Sequence, residues 1–287
     1  MLRERNIVII GVIYNTYPET LRYITSLEKY PGDKFLLILA DNSETLAPGS
    51  FLEEVGKHDF IEYIRTGSNL GYFHGAQFGL THYLSAFGKF PEWIFVTNVD
   101  IVFQDPLIFQ TLEKYEPGSR LGVVAPSIIS GRWQTDFNPK IRKRYAVKQL
   151  KFYRQIYASF IFQNIYIFIS YIKKFLLGFI KKSKHYDIPS RHAVEKIYAP
   201  HGSCIIFHRN YFEKGGTLNH ISFLFGEEIF VAETASSLNL DIIYEPGIKI
   251  DDHEHASTSY FVSRKMNRYY RQSIEDILMH YYPEARP

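Results

Sequence analysis

Three apolar runs, each ending on a polar cluster, constrain this chain more than any other feature. Asn6 to Ile13 is unbroken and β-branched and gives way to Tyr14-Asn15. Lys34 to Ala40 gives way to Asp41-Asn42-Ser43, and Trp93 to Thr97 gives way to Asn98-Val99-Asp100. Such runs read as buried strands. Between them, Pro18 suits the first turn of a helix running to about Tyr30, Phe60 to Arg65 reads as a short strand, and Ala76 to Phe87 as a helix. A further strand is expected from Gly122 to Pro126. This alternation predicts βαβ units and a doubly wound, mostly parallel central sheet flanked by helices. Open α/β sheets place ligand chemistry beyond the carboxyl ends of their strands, which is where the polar clusters fall. Alone, Asp100 would serve equally well as a helix cap or turn residue.

The 287 residues allow one large α/β domain or two small ones. The net charge of +3 gives no reason to expect a nucleic-acid partner. The single Cys204 excludes an internal disulfide framework and a multi-Cys zinc site. The N-terminus runs into its first strand without the shape of a signal peptide.

The middle of the chain changes character. From Phe137 to Tyr186 there is no Asp or Glu, while Lys and Arg are frequent. Lys148, Lys151, Gln155, Ser159, Gln163, Ser170, Lys173 and Lys174 recur at helical steps, which predicts one polar stripe on an otherwise Ile-, Phe-, Tyr- and Leu-rich helix. A wide apolar face with basic flanks suits a helix lying in a membrane interface over 148–182. A span and a helix packed on the domain or on a second subunit compete with that reading. The uncharged run from Gln155 to Ile172 barely reaches the ~20 residues of a span and carries Gln163 and Asn164. Beyond it, strands are expected over Lys196 to Phe207, after a His201-Gly202 turn, and over Leu240 to Tyr244. A long aromatic, basic helix is expected over Tyr260 to Tyr282.

Several motifs can carry chemistry. Asp41 could accept from a nucleobase or ribose, or simply form an Asx turn. The stretch from Asn69 to Gly79, with Gly71, Gly75 and Gly79, could let a backbone approach a ligand closely, but it is neither a dinucleotide fingerprint nor a P-loop. Asn98-Val99-Asp100 offers one carboxylate, enough for a hard divalent cation that takes its other ligands from substrate phosphates and water. Glu227-Glu228 could supply a general base if burial raises one pKa, or could be the acidic start of a helix; both can hold together. In Asp251-Asp252-His253-Glu254-His255, either histidine could complete a metal site.

The order of these motifs resembles the family 2 glycosyltransferases, particularly the rhamnosyltransferase-like branch that builds bacterial surface polysaccharides. It runs strand-Tyr14-Asn15, Asp41-Asn42-Ser43, Asn69-x-Gly71, Asn98-x-Asp100, Gly202-Ser203-Cys204-Ile205-Ile206-Phe207, Phe223-Leu224-Phe225-Gly226-Glu227-Glu228, then His253-x-x-Ala256-Ser257. The resemblance implies a GT-A fold, a nucleotide-diphospho-sugar donor (UDP-, dTDP- or GDP-linked), Mg2+ or Mn2+, and inversion at the anomeric carbon. Carried over by position, Asp41 would read the base, Asp100 would bind metal with Asn98 beside it, and Glu228 would be the base next to Glu227. His253 would lie near metal and diphosphate, and Arg271 would match a Tyr-Tyr-x-Arg tail; Tyr14, Asn15, Asn69 and Gly71 join the donor-binding set. The chain departs from the family in having Glu-Glu for Glu-Asp, Phe230 at a second acidic position, and Gln77 where Asn is common. The resemblance further implies one GT-A domain over 1–287. Residues 1–136 would be its nucleotide-sugar half, 137–190 a basic helical insertion with possible membrane contact, and 191–287 the acceptor and catalytic half. The acceptor would be a glycan or lipid-linked oligosaccharide in capsule, O-antigen or exopolysaccharide synthesis, with the enzyme cytoplasmic and peripheral on the inner membrane face. A nucleotidyltransferase and a catalytically inactive membrane-associated scaffold of the same fold stand as alternatives.

Overall fold

The computed structural model describes residues 3–115, 120–131, 135–182, 193–253 and 262–285 (for 174–182 and 285, the backbone alone). The first strands are β1 (Ile7–Ile13), β2 (Phe35–Asp41), β3 (Ile61–Arg65) and β4 (Trp93–Asn98). They pair in parallel in the order β3-β2-β1-β4. Helices α1 (Tyr17–Leu27), α2 (Gly49–Val55) and α3 (Tyr72–Phe87) connect them. The remaining strands are β5 (Ile101–Phe103), β6 (Leu121–Ser130), β7 (Glu195–Lys196), β8 (Cys204–His208) and β9 (Asp241–Asp252). They extend the same sheet in the order β4-β8-β6-β9-β5, with β7 also on β9. β8 runs antiparallel to β4 and β6, while β6 and β9 are parallel. The expected α/β sheet is therefore one continuous layer, parallel in its first half and mixed beyond.

Side-chain alternation along each strand divides the core into two layers. Val8, Ile10 and Val12 face one layer with Leu36, Ile38 and Ala40, against α3 and the helices α7 (Arg209–Glu213), α8 (Glu227–Ser237) and α9 (Arg264–Tyr281). Ile7, Ile9 and Ile13 face the other with Phe35, Leu37 and Leu39, against α1, α2 and α4 (Ile108–Leu112). Every residue of β1 and β2 is buried, as strands covered on both faces must be. The register aligns Ile13 with Asp41 and Val12 with Asn98, so the polar ends of β1, β2 and β4 share one edge.

The Gly-rich stretch is helix rather than loop. α3 starts at Tyr72, four residues earlier than expected. Gly75 and Gly79 lie on the face of α3 turned to the sheet: a Cβ on Gly75 would come within 2.6 Å of the Asn42 amide, and one on Gly79 within 2.8 Å of Ile10. These two glycines serve close packing of α3 against β1 and the end of β2.

The central segment differs most from expectation. Instead of one helix there are two, α5 (Val147–Tyr157) and α6 (Phe160–Lys182). Ser159 restarts the helix, its carbonyl accepting from Gln163 N–H (2.9 Å) and its Oγ from Phe162 N–H (3.4 Å). The break shifts the helical phase, so the polar stripe is not continuous. Lys148, Lys151 and Gln155 remain exposed, but Gln163 is only 2% exposed. Its Oε1 accepts from the Asn267 amide at 2.6 Å, and Asn164 exchanges hydrogen bonds with the backbone of Val262 (3.1 and 2.9 Å). Among the described residues, no helix is long and apolar enough to cross a membrane.

Candidate active site

Asp41 ends β2 fully buried. Its Oδ2 accepts from the hydroxyls of Tyr17 (3.1 Å) and Tyr63 (2.5 Å), and its Oδ1 from the N–H of Ser43 (2.8 Å). Burial, reinforced by this carboxylate, pushes both phenols above their ordinary pKa. Ser43 Oγ in turn accepts from the N–H of Asn15 (2.8 Å), a residue held at φ +56°. Tyr14 and Asn15 are exposed at the rim.

Gly71 caps α3 at φ +85°. Its N–H donates to Asn69 Oδ1 (3.0 Å) and its carbonyl accepts from the Asn42 amide (2.8 Å). The Tyr72 hydroxyl reaches across to the carbonyl of Gly202 (2.8 Å). The N-terminus of α3 is thereby fastened both to the end of β2 and to the turn before β8.

The Glu227-Glu228 pair opens α8, immediately after a constrained turn. Phe225 has φ +69°, which costs a non-glycine residue on the order of 1–3 kcal/mol. Contacts on every side hold it there. The Phe225 carbonyl accepts from Ser273 Oγ (2.7 Å) and pairs with His220 Nε2 (2.8 Å), its N–H donates to Glu227 Oε1 (3.0 Å), and its ring stacks on Tyr270 with centroids 3.6 Å apart. Strained backbone of this kind persists only where its surroundings over-determine it, and it clusters at functional sites. The two carboxylates face different surroundings. Glu227 is buried, and desolvation together with the neighbouring Glu228 pushes its pKa up to about 8. Glu228 is half-buried, with Oε1 pointing toward Gly202, where a Cβ would lie 3.4 Å away. It is also one of the charges that raise the pKa of Tyr270 to about 12, after burial.

Glu227 holds its proton in the folded state from about pH 4.5 to about pH 8, whereas the unfolded chain releases it near 4.5. The native state binds more protons in that window, so this group's contribution to stability falls as pH rises through it. Glu227→Gln keeps an acceptor for the Phe225 N–H and removes the charge. The variant is expected to gain stability relative to wild type between pH 5 and pH 8.5, on the order of 3 kcal/mol. Melting curves across that range measure it; a wild-type-to-variant difference independent of pH contradicts the burial of this charge.

Asp100 follows β4, and its carbonyl accepts from the N–H of His253 (3.2 Å) as Ile101 pairs with Asp252. Half-buried Asp100 and exposed His253 thus lie on neighbouring backbone at the sheet edge. Among the described residues there is no group of three or more His, Cys, Asp or Glu side chains placed to hold a metal ion. The Asp100 carboxylate fits a hard cation that draws further ligands from a diphosphate and water. His255, the other histidine considered, lies outside the described residues.

The end of β4 and the start of α8 meet through the turn before β8. Asn98 N–H donates to the carbonyl of Ser203 (2.9 Å), and the adjoining Gly202 lies against Glu228. Asn98, Asp100, Glu228, Asn69 and Gly71 are thereby joined along one edge. Arg271 is exposed on α9, while Tyr270, one residue earlier, faces the glutamates. Tyr270 was missed although its signal was present: Tyr270, Ser273, Ile274, Ile277 and Leu278 recur at the spacing of one helix face, and Arg271 falls off it. Phe230, at the position of a second acid, is core, packed on Phe73 and His220. Gln77 is occupied elsewhere, its Oε1 accepting from Leu218 N–H (3.0 Å).

The family model described as glycosyl transferase family 2 matches residues 8–183. Among solved structures, GalNAc-T7 crystallised with UDP, GalNAc and Mn2+ superposes with a TM-score of 0.59 at 11% identity, over 97% of this chain and 49% of that one. TarS of S. aureus superposes with a TM-score of 0.54 at 10% identity, over 96% of this chain and 40% of that one. The chain thus spans about half the length of these structures or less. No curated protein matches it significantly. The sheet order, the helical layers and these superpositions make the fold GT-A. With well over half of its residues covered by the family model, the chain belongs to glycosyl transferase family 2.

Proposed function

We propose that this protein transfers a sugar from a UDP-, dTDP- or GDP-linked donor to a hydroxyl of a glycan or lipid-linked acceptor, with inversion at the anomeric carbon. The observation that carries this reading is the single edge on which the strand-end Asn98-Val99-Asp100 meets the Gly202 turn and, through it, Glu228. An acid suited to a metal–diphosphate and a carboxylate suited to a proton would share that edge.

The acceptor hydroxyl oxygen attacks the anomeric carbon from the face opposite the diphosphate. The C–O bond to phosphate breaks, the configuration inverts, and Glu228 takes the hydroxyl proton. Tyr14, Asn15, Asn69, Gly71 and Asn98 frame the donor, and Arg271 serves its phosphates. Asp41 recognises the base, whose N–H reaches Oδ2 by replacing one of the two phenols there. Asp100 and His253 would hold Mg2+ or Mn2+, which supplies positive charge to the leaving diphosphate. Residues 1–136 form the donor half and 191–287 the acceptor half. Polysaccharide assembly of the rhamnosyltransferase-like kind, on the inner face of a bacterial membrane contacted through 148–182, is the setting that the basic insertion supports. The experiment is donor-dependent release of nucleoside diphosphate, which Glu228→Gln should nearly abolish and Glu227→Gln should not.

A further inference from the structure

We infer that the outward face of α6 is a docking surface for an anionic lipid bilayer. This deepens the membrane contact proposed above, resting on that reading for its purpose but not for its physics. α6 is built inside out for a helix in water. Gln163 turns inward to Asn267 and Asn164, on the flank, bonds Val262, while Ile161, Phe162, Ile165, Phe168 and Ile169 on the side away from Gln163 are 49–63% exposed. These positions recur at one, three and four residues and form one face. Phe152 of α5 continues it, its ring 6.3 Å from that of Tyr166. A contiguous apolar surface of this kind marks an interaction site.

The charge around the face decides the occupant. Lys148, Lys151 and Lys173 are exposed beside it, and residues 137–186 hold twelve Lys and Arg and no acid. A second copy of the chain would bring these like charges together, whereas anionic headgroups neutralise them. The uncharged stretch Phe160 to Ile172 is about 20 Å long as helix, too short to cross a bilayer and suited to lying in its surface.

The face is also mechanically tied to the glutamates. α6 is bonded to the start of α9, Tyr157 of α5 packs 5.2 Å from Tyr270, and Tyr270 stacks on Phe225 before Glu227-Glu228. A bilayer on α6 therefore sets the catalytic edge at a fixed position near the headgroups, where an amphiphilic acceptor presents its hydroxyl.

The test is flotation of the full chain with vesicles of phosphatidylcholine containing phosphatidylglycerol, against phosphatidylcholine alone, in the absence of nucleotide. Binding is expected to the anionic vesicles and to weaken with salt. Ile165→Glu/Ile169→Glu should reduce partition at least tenfold. Each of Lys148→Gln, Lys151→Gln and Lys173→Gln should reduce it roughly fivefold. All five positions are exposed in the folded chain, so melting temperature and donor binding in solution should not change. Equal flotation of wild type and the double variant overturns the inference. So does a wild-type dimer that Ile165→Glu/Ile169→Glu dissociates without any vesicle binding, which would assign the face to a second copy. Intact vesicle binding in a chain that ignores every nucleotide-sugar would instead sink the transferase reading and leave the docking surface standing.

Discussion

Glu228→Gln is expected to lower turnover by about 10²–10⁴-fold, the usual contribution of a positioned general base. The amide keeps the size and a polar contact near Gly202 but takes no proton. Donor affinity should be almost unchanged, so the loss falls on kcat. The contrast with Glu227→Gln gives the prediction its force. Glu227 is buried and accepts the Phe225 N–H, so it fastens the turn that carries Glu228. An amide accepts that hydrogen bond equally well, and activity within about tenfold of wild type is expected at neutral pH. Nucleoside diphosphate release, with each variant's melting temperature as a folding control, checks both. Full activity in Glu228→Gln with a dead Glu227→Gln would exchange the two roles.

Gly71→Ala is expected to be severely damaging for a change that adds one methyl group. Gly71 holds φ +85°, and a Cβ there would sit 2.1 Å from the carbonyl oxygen of Phe223. That oxygen belongs to backbone and cannot rotate away as a side chain would. Relief requires pulling the start of α3 away from the segment leading to Phe225, which disturbs the Asn42 and Tyr72 bonds together. A cost of about 3 kcal/mol or more is expected, with loss of activity in whatever protein folds. Gly88→Ala is the matched control: its φ is +69° at the other end of the same helix, with nothing within 4 Å of the added Cβ. It should cost only about 1 kcal/mol, the backbone component alone. Urea unfolding of the two variants measures the difference; equal costs would contradict the close approach of α3 to the Phe223 carbonyl.

Much of this fold was legible in the sequence because the signal was local. Ile7 to Ile13 and Phe35 to Asp41 are apolar on both faces, and only a covered strand tolerates that. The ends of those strands pointed to the edge where Asp41, Asn98 and Asp100 stand. What depended on long-range partners was hidden. Nothing in the spacing of Gly75 and Gly79 showed that Asn42 and Ile10 would fill the space beside them. Gln163 reads as part of an exposed polar stripe because its partner, Asn267, lies about a hundred residues away. The two phenols on Asp41 were hidden for the same reason: no local pattern revealed Tyr17 and Tyr63 converging on it. The asymmetry of the glutamates is also tertiary: adjacent in sequence, one turns into the core and the other toward Gly202.

In the proposed reaction Asp100 joins a divalent cation to a nucleotide diphosphate. Thermal shift of wild type and Asp100→Asn with UDP-, dTDP- and GDP-sugars, each with and without Mn2+, tests it most directly. A donor at a hundred times its Kd stabilises a protein by about 2.7 kcal/mol, several degrees for a chain of this size. One nucleotide class should produce that shift in wild type with Mn2+, and most of it should vanish without the metal or in Asp100→Asn. An equal shift in Asp100→Asn, or no shift with any of the three classes, would contradict the assignment.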